Sequence, residues 1–379
     1  MIKKYFICVL VVLLMFCGCY QKNNSSKRFK SSELTPSVYQ NASVDNSSQI
    51  LSEQSYEQTL SADSSEVLYV DSSEIFSVDN IQYSSQTSQN QTSSAPIYTN
   101  EPTKIRVMTF NVMEEWISGK SVFGRIGGLE QIMNNVNPDI MVTQEADENW
   151  RLYIKMQKGI TDKYNYRFYK DYGEKENLAR IGIAYNKEKY MFLMDGFHYF
   201  DDYVGTEYEP TPPTYQGVYW NLLMDKVTGK KFIVMSTHWH HNSGKEYEWA
   251  NTCRRYQAIE MTDLVNQLNS EYNCPVIVAG DFNSVSVADI LSGEATSVQI
   301  ERYSDNYCMK PFELDGGYTS AKYKEGVVVG EGAKSYKSTI DNIYVDKNLV
   351  SASFFDVYIN TELSYVSDHK PIYADLIIK

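Results

Sequence analysis

Between residues 104 and 372 the chain repeats one pattern, a short apolar run that stops on a polar residue able to do chemistry. Asn111 follows the run 107–110, Glu145 follows 140–143, His238 follows 232–237, and Asp281 and Asn283 follow 276–280. Asp341 lies inside 339–345, and Asp368 and His369 stand just before Lys370-Pro371-Ile372. Residues 104–110 alternate polar and apolar as a strand does. Runs 140–143, 181–185, 232–237 and 276–280 read as further strands, with 338–345 and 372–378 closing the chain. Residues 129–136 read as a helix stopped at Asn137-Pro138-Asp139, and 249–268 as a long amphipathic helix. Strands with intercalated helices predict a layered α/β domain. Each polar residue alone says little, since a Glu after a strand is usually solvated and Asp-X-Asn is usually a turn or cap. Their recurrence at strand ends matters, because one sheet edge can gather groups that are far apart in sequence.

Upstream of residue 103 the chain is of another kind. Lys3 and Lys4 precede an uncharged apolar run from residue 5 to 16. That run is shorter than the ~20 residues a spanning helix needs, and the pattern is that of an export signal. It closes on Phe16-Cys17-Gly18-Cys19, which resembles the lipobox of bacterial lipoproteins, with Phe16 where Leu is usual. Residues 1–18 are therefore expected to be a lipoprotein signal peptide and Cys19 the lipidation site; an ordinary secretory signal is the alternative. Both place the mature chain outside the cytoplasm, by the first route tied to the membrane through its lipid alone. Residues 19–102 are dominated by Ser, Gln and Asn, with 21 Ser between residues 20 and 102. That composition buries too little apolar area to offset chain entropy and predicts a disordered linker. A coil of this length spans ~50 Å.

The folded part, 103–379, carries 29 basic and 38 acidic residues, and the whole chain is −13. An acidic surface does not gather polyanions by bulk attraction, and no long Lys/Arg run marks a nucleic-acid track. Cys253, Cys274 and Cys308 lie in this part. Cys253 and Cys274 flank the 249–268 helix, so ~30 Å would separate them, against the ~7 Å a disulfide tolerates. Any bridge would include Cys308; three buried thiols are the equal alternative.

Taken in order, Met108-Thr109-Phe110-Asn111-Val112, Gln144-Glu145, Ser236-Thr237-His238, Gly280-Asp281-Phe282-Asn283, Ile340-Asp341-Asn342-Ile343 and Ser367-Asp368-His369-Lys370-Pro371 resemble the endonuclease/exonuclease/phosphatase family. Arg254-Arg255-Tyr256-Gln257 is similar to that family's Arg-x-x-Gln. The resemblance covers residues 103–379. It implies a four-layer αββα sandwich of two packed mixed β-sheets flanked by helices. It also implies a metal-dependent hydrolase that cleaves phosphate esters by in-line attack of water. Carried over position by position, Glu145 would be the principal metal ligand, with Asn111 beside it and Asp368 completing the metal environment. Asp281 would position or deprotonate the attacking water, and Asn283 would hold a phosphate oxygen. His369 would touch the scissile phosphate and transfer a proton, oriented by Asp341, and His238 would donate to the phosphate or leaving group. Relatives with a similar middle section have an Arg before a Thr-Trp pair. Here the stretch reads Tyr215-Gln216-Gly217-Val218-Tyr219-Trp220, which leaves that Arg missing or replaced by Arg180 or Arg254. His240 and His241 are additions to the pattern.

The chemistry fits the resemblance. Carboxylate and amide oxygens are hard ligands that suit Mg²⁺ or Mn²⁺, with Ca²⁺ a third choice. No Cys/His spacing marks a zinc site, and no Ser nucleophile elbow or Gly-rich phosphate cradle is visible. A carboxylate-held water can attack while a cation offsets developing charge. The candidates for substrate contact are Arg180, Trp220, Trp239, His240 and Arg254, within a wider aromatic set of Trp116, Trp150, Tyr199, Phe200, Tyr203, Tyr208, Tyr215 and Tyr219. The substrate is expected to be a phosphate ester of a nucleic acid, a phospholipid headgroup or a sugar, acted on by a monomer. A secreted DNase-like endonuclease is the main alternative, and an inactive surface binding protein of the same fold is the second.

Overall fold

The structure is a computed structural model that describes residues 98–99, 101–168, 180–200, 216–241, 248–303 and 307–379. The expected signal peptide, Cys19 and nearly all of the expected linker lie outside the described residues, as do Tyr203, Tyr208 and Tyr215. The domain is engaged before Thr103, since the Thr99 N–H donates to Val227 O at 3.1 Å.

Strand β1 (Thr103–Asn111) lies at the middle of a seven-stranded sheet and is buried along its whole C-terminal half. Its neighbours are β2 (Ile140–Gln144), parallel to it, and β13 (Ile372–Ile378), antiparallel. The sheet is completed by β3 (Tyr164–Phe168), β4 (Gly182–Asn186), β10 (Val328–Val329) and β12 (Val350–Val357), in the order β10-β12-β13-β1-β2-β4-β3. The second sheet has the order β5-β6-β7-β8-β11-β9. Its strands are β5 (Tyr190–Tyr199), β6 (Gly217–Asp225), β7 (Lys231–His238), β8 (Val276–Asp281), β9 (Tyr318–Ser320) and β11 (Asp341–Asp346). The pair β7–β8 is parallel and β8–β11 antiparallel, so both sheets are mixed.

Three buried apolar clusters define four layers. Val107, Val142, Ile183, Val234, Ile277 and Ile343 belong to the cluster between the two sheets. Their alternate neighbours face outward and are buried again by helices. Met108, Phe110 and Met141 pack with Ile126, Leu129 and Met133 of α1 (Val122–Val136) and Trp150 and Ile154 of α2 (Glu148–Met156). Ile233, Met235, Val276 and Val278 pack with Met261, Val265 and Leu268 of α3 (Glu248–Tyr272). A fully buried side chain of this kind contributes about 1.5–3 kcal/mol. Both faces of the central strands are covered, which is why they read as continuous apolar runs. The four-layer αββα sandwich implied by the resemblance is the fold observed.

Some boundaries differ from the sequence reading. Helix α1 starts at Val122, not 129. Gly124, Gly127 and Gly128 depress helix propensity there, but the buried spacing Val122, Arg125, Ile126, Leu129, Ile132, Met133, Val136 carries the helix through. Ser121 caps its start by accepting from Phe123 N, and Asn137 ends it in the left-handed region at φ 53°. The expected strand 338–345 begins at Asp341, and strands β3, β5, β6, β9, β10 and β12 are additions. Cys253, Cys274 and Cys308 are all buried, and no disulfide joins any two of them. Among the described residues no helix is long and apolar enough to cross a membrane.

Candidate functional site

Parallel pairing places the C-terminal ends of β1 and β2 side by side, with Asn111 opposite Gln144. In the other sheet the same rule sets His238, the last residue of β7, opposite Asp281, the last of β8. Antiparallel pairing then puts Asp341, the first residue of β11, opposite Asp281. The two edges meet because the sheets are stitched together just beneath them. Gln144 Nε2 donates to Ser236 Oγ at 3.3 Å, and Ser236 Oγ donates to Thr143 O at 3.0 Å.

Asn111 spans the junction. Its Nδ2 donates to Glu145 Oε1 at 2.9 Å and to Asp281 Oδ2 at 3.0 Å, using both amide hydrogens, while its Oδ1 accepts from Met113 N. Glu145 sits at φ 54°, a left-handed conformation uncommon outside glycine. Its Oε2 accepts from Glu114 N at 3.2 Å, and the residue is half-buried. Asp281 is 1% exposed, and its Oδ1 accepts from Asn283 N at 2.9 Å. The Nε2 atoms of His238 and His369 approach its Oδ2 to 3.6 and 3.7 Å. His369 Nδ1 lies 2.7 Å from Asp341 Oδ2, which fixes the ring and leaves Nε2 facing Asp281. Burial opposes the charged ring, but Asp341 and Asp281 outweigh it and hold His369 well above its ordinary value. The exposed Asp368 stands next to His369, and its Oδ1 lies 3.4 Å from Ser367 Oγ. Ser367 also donates to Asn111 O at 2.7 Å and accepts from His369 N at 3.1 Å, so it ties this loop to the end of β1.

All eight residues expected to be catalytic or metal-ligating therefore lie on this edge or on the loops leaving it. Asn283, at φ 46°, spends an Nδ2 hydrogen on Trp239 O at 3.1 Å. The five substrate-contact candidates divide. Arg180 is half-buried beside the site, pairing with the Glu114 carboxylate while its carbonyl accepts from Ala146 N. The other four are inside the protein, which corrects that expectation. Trp239 is 0% exposed, wedged edge-on between Phe200 and Phe282. Trp220 packs against Tyr272 of α3. Arg254 donates to His240 O at 2.7 Å and to Asn251 Oδ1, and Gln257 Oε1 accepts from His240 N, so the Arg-x-x-Gln pair braces the loop after His238 from within. Burial, helped by His241 and Arg254, pushes His240 down to about 3, which keeps the ring neutral. Trp150, Phe200 and Tyr219 are also buried. Of the extra histidines, only His241 is exposed, stacked on His240 with centroids 5.4 Å apart. Sequence reasoning gave no role to Ser367, although it lay within a quoted motif. It gave none to Ser236 either, which also lay within a quoted motif, and it missed Glu114 and Arg125, which carry no local signal.

The donor set fits a hard cation. Among the described residues one trio with metal-ligand spacing occurs, Asp281, Asp341 and His369, whose donor atoms lie within 4.8 Å of one another. It overlaps the expected set of Glu145, Asn111 and Asp368 only in location. His369 Nδ1 is committed to Asp341, and a protonated ring ligates no metal, so the oxygen donors are the better ligands. Asp341 Oδ1 is buried without a hydrogen-bond partner, a cost that calls for a compensating group.

No curated protein matches the chain. Among solved structures, it is similar to an endonuclease/exonuclease/phosphatase family protein from Bacteroides vulgatus, with 21% identity, a TM-score of 0.54, and coverage of 73% of this chain and 100% of that one. A family protein from Bacteroides thetaiotaomicron gives 17% identity and a TM-score of 0.52 over 74% and 99% of the two chains. The mannosyl-6-phosphatase of Bacteroides thetaiotaomicron VPI-5482 gives 18% identity and 0.50 over 72% and 99%. The sequence profile of one family, described as the endonuclease/exonuclease/phosphatase family, matches residues 108–369, from β1 to His369 itself. By that match the chain belongs to the endonuclease/exonuclease/phosphatase family, whose members are metal-dependent phosphoester hydrolases.

Proposed function

We propose that the chain is an extracytoplasmic, divalent-metal-dependent phosphoesterase that hydrolyses a phosphodiester or phosphomonoester by in-line attack of water. The observation that carries this is the surroundings of Asp281. One carboxylate oxygen lies 3.0 Å from the Asn111 amide and 3.6 and 3.7 Å from two imidazole Nε2 atoms. A water in that space has a base in Asp281 and a proton donor in His369. Asp341 fixes the His369 tautomer and supports its charged form. His238 faces the same space from the end of β7 and suits a phosphate oxygen or the leaving group, as does Asn283 through its second amide hydrogen. Glu145, Asn111 and Asp368 would hold Mg²⁺ or Mn²⁺, with Ca²⁺ less suited. A bound cation supplies Lewis-acid stabilisation of the charge that builds on the transferred group. Arg180 is the substrate-contact candidate that the geometry supports.

The leader supports the location. Lys3, Lys4, the apolar run and Cys19 suit a lipoprotein anchored to a bacterial membrane, and a Ser-rich tether of ~50 Å would let the domain reach substrate beyond that surface. The test is hydrolysis of a chromogenic phosphodiester, a chromogenic phosphomonoester, a hexose phosphate, plasmid DNA and sphingomyelin with Mg²⁺ or Mn²⁺, with and without chelator. Chelator-sensitive turnover of at least one is expected. A well-folded sample inactive on all five would leave the inactive binding protein standing, and cleavage of DNA alone would favour the endonuclease.

A further inference from the structure

Arg125 is the largest buried charge that the proposed chemistry leaves unused. It projects from α1 with 1% of its surface exposed. The two hydrogens of its Nη1 are shared among three carbonyls, Val112 O at 3.0 Å, Met113 O at 2.8 Å and Val366 O at 3.0 Å. Val112 and Met113 directly follow Asn111, and Val366 directly precedes Ser367, Asp368 and His369. One guanidinium nitrogen thus joins two loops far apart in sequence, at residues 112–113 and at residue 366, each carrying part of the site. The Trp150 ring covers the guanidinium at 4.9 Å, and its Nε1 donates to the same Met113 carbonyl at 3.0 Å. Met113 is held at φ 57°, a conformation with a cost of order 1 kcal/mol that needs outside support.

Two further observations argue against simple packing. First, Nε and Nη2 of Arg125 are buried with no hydrogen-bond partner. A half-satisfied buried cation is a poor stabiliser, and an apolar side chain of like volume would pack more cheaply. Second, α1 is set unusually close to the second loop. A Cβ on Gly128, one turn beyond Arg125, would meet Val366 Cγ2 at 2.4 Å. Burial lowers the Arg125 pKa, and the carboxylates of Asp147, Glu115, Asp368 and Glu145 pull the other way, so its charge faces the acidic site.

We propose that Arg125 is a positioning residue for the metal site, pinning the loop after Asn111 to the loop of Asp368 and His369 so that their side chains keep one spacing. The role rests on the metal-dependent reading above. Arg125 contacts the backbone of both loops and acts through it, as outer-shell groups commonly do around a metal.

The test is Mn²⁺ binding by calorimetry, together with kcat and KM, on the wild type, Arg125→Lys, Arg125→Met and a matched control. The control is Leu268→Ala, a core truncation in α3 against the other sheet. Arg125→Met is expected to weaken Mn²⁺ binding by about 10–100-fold, with kcat falling more than KM rises. Arg125→Lys, which keeps the charge and up to three donors, should recover part of the loss. Leu268→Ala should lose thermal stability yet hold wild-type Mn²⁺ affinity. Arg125 variants that lose stability while keeping wild-type Mn²⁺ affinity and kcat would overturn the proposal. If Arg125→Met does not fold, Arg125→Lys decides alone, and an unchanged Mn²⁺ dissociation constant overturns it. A wild type that binds no Mn²⁺ is a separate failure, of the metal reading itself, and takes the positioning role with it.

Discussion

Asn111 shows why the site is sensitive to single substitutions. Its two amide hydrogens reach carboxylates contributed by different sheets, Glu145 and Asp281, so it keeps two like charges at a fixed spacing. Removing Glu145 as Glu145→Ala deletes one acceptor, but Asn111 keeps its bond to Asp281. The stability loss should therefore stay near 1 kcal/mol, a shift of a few degrees in a melting curve. Turnover should be abolished if, as proposed, the carboxylate is the principal anchor for the cation. An intact fold with full activity would contradict the metal assignment. His369→Ala removes the group that Asp341 orients at 2.7 Å. Its kcat on whichever ester is cleaved should fall at least ~10²-fold from lost general acid–base help.

At the level of elements, α1 fixes how closely the helical layer approaches the His369 loop, and its three glycines separate two effects. Gly127 has open space where a Cβ would go, so Gly127→Ala should raise stability by about 0.5–1 kcal/mol through helix propensity alone. Gly128 has Val366 Cγ2 at 2.4 Å and Tyr365 Oη at 2.7 Å, so Gly128→Ala should cost about 1–3 kcal/mol by overpacking and lower kcat by displacing that loop. Paired urea melts and kcat values check both, and equal effects at the two positions would refute the close approach. The same helix marks the limit of what the sequence made legible. Asn111, Glu145, His238, Asp281, Asp341 and His369 could be read because each ends, opens or lies within an apolar run. Arg125 and Gly128 fall outside the helix that the sequence predicts at 129–136, and only docking against residues 112–113 and 366 gives them meaning. The aromatic residues misled for a related reason. In β6 every residue from Gly217 to Leu223 is buried, because one face meets the other sheet and the opposite face meets α3. Alternation then carries no inside-versus-outside signal, and Trp220 and Trp239 cannot be told from a substrate wall.

Across the whole molecule the layers are held together by apolar area, with a few buried polar groups at the joints, and one of these makes stability depend on pH. Glu313 is 3% exposed beneath α3. Its Oε1 accepts from Val287 N at 2.8 Å and from the Tyr344 hydroxyl at 3.0 Å, tying the segment 311–315 to β11 and to the short helix at Val287. Burial pushes its carboxyl up to about 7, against the hydrogen bonds it accepts from Val287, Tyr344 and Ala288. A folded pKa above the unfolded one means that the folded state holds the proton more tightly. Unfolding then releases a proton between roughly pH 4.5 and 7, and stability from this group declines as pH rises through that window, by about 1.4 kcal/mol per unit. Above the folded pKa both states are ionised and the loss is complete. Glu313→Gln keeps an oxygen for Val287 and Tyr344 but removes the charge, so its stability should be flat where the wild type declines. The stability of Glu313→Gln relative to wild type should therefore rise by on the order of 3 kcal/mol between pH 5 and pH 8. Chemical denaturation at the two pH values measures this directly. A relative stability of the variant that stays constant, or falls, as pH rises would mean that Glu313 is ionised in the folded state throughout and that the joint it forms is wetter than its burial implies.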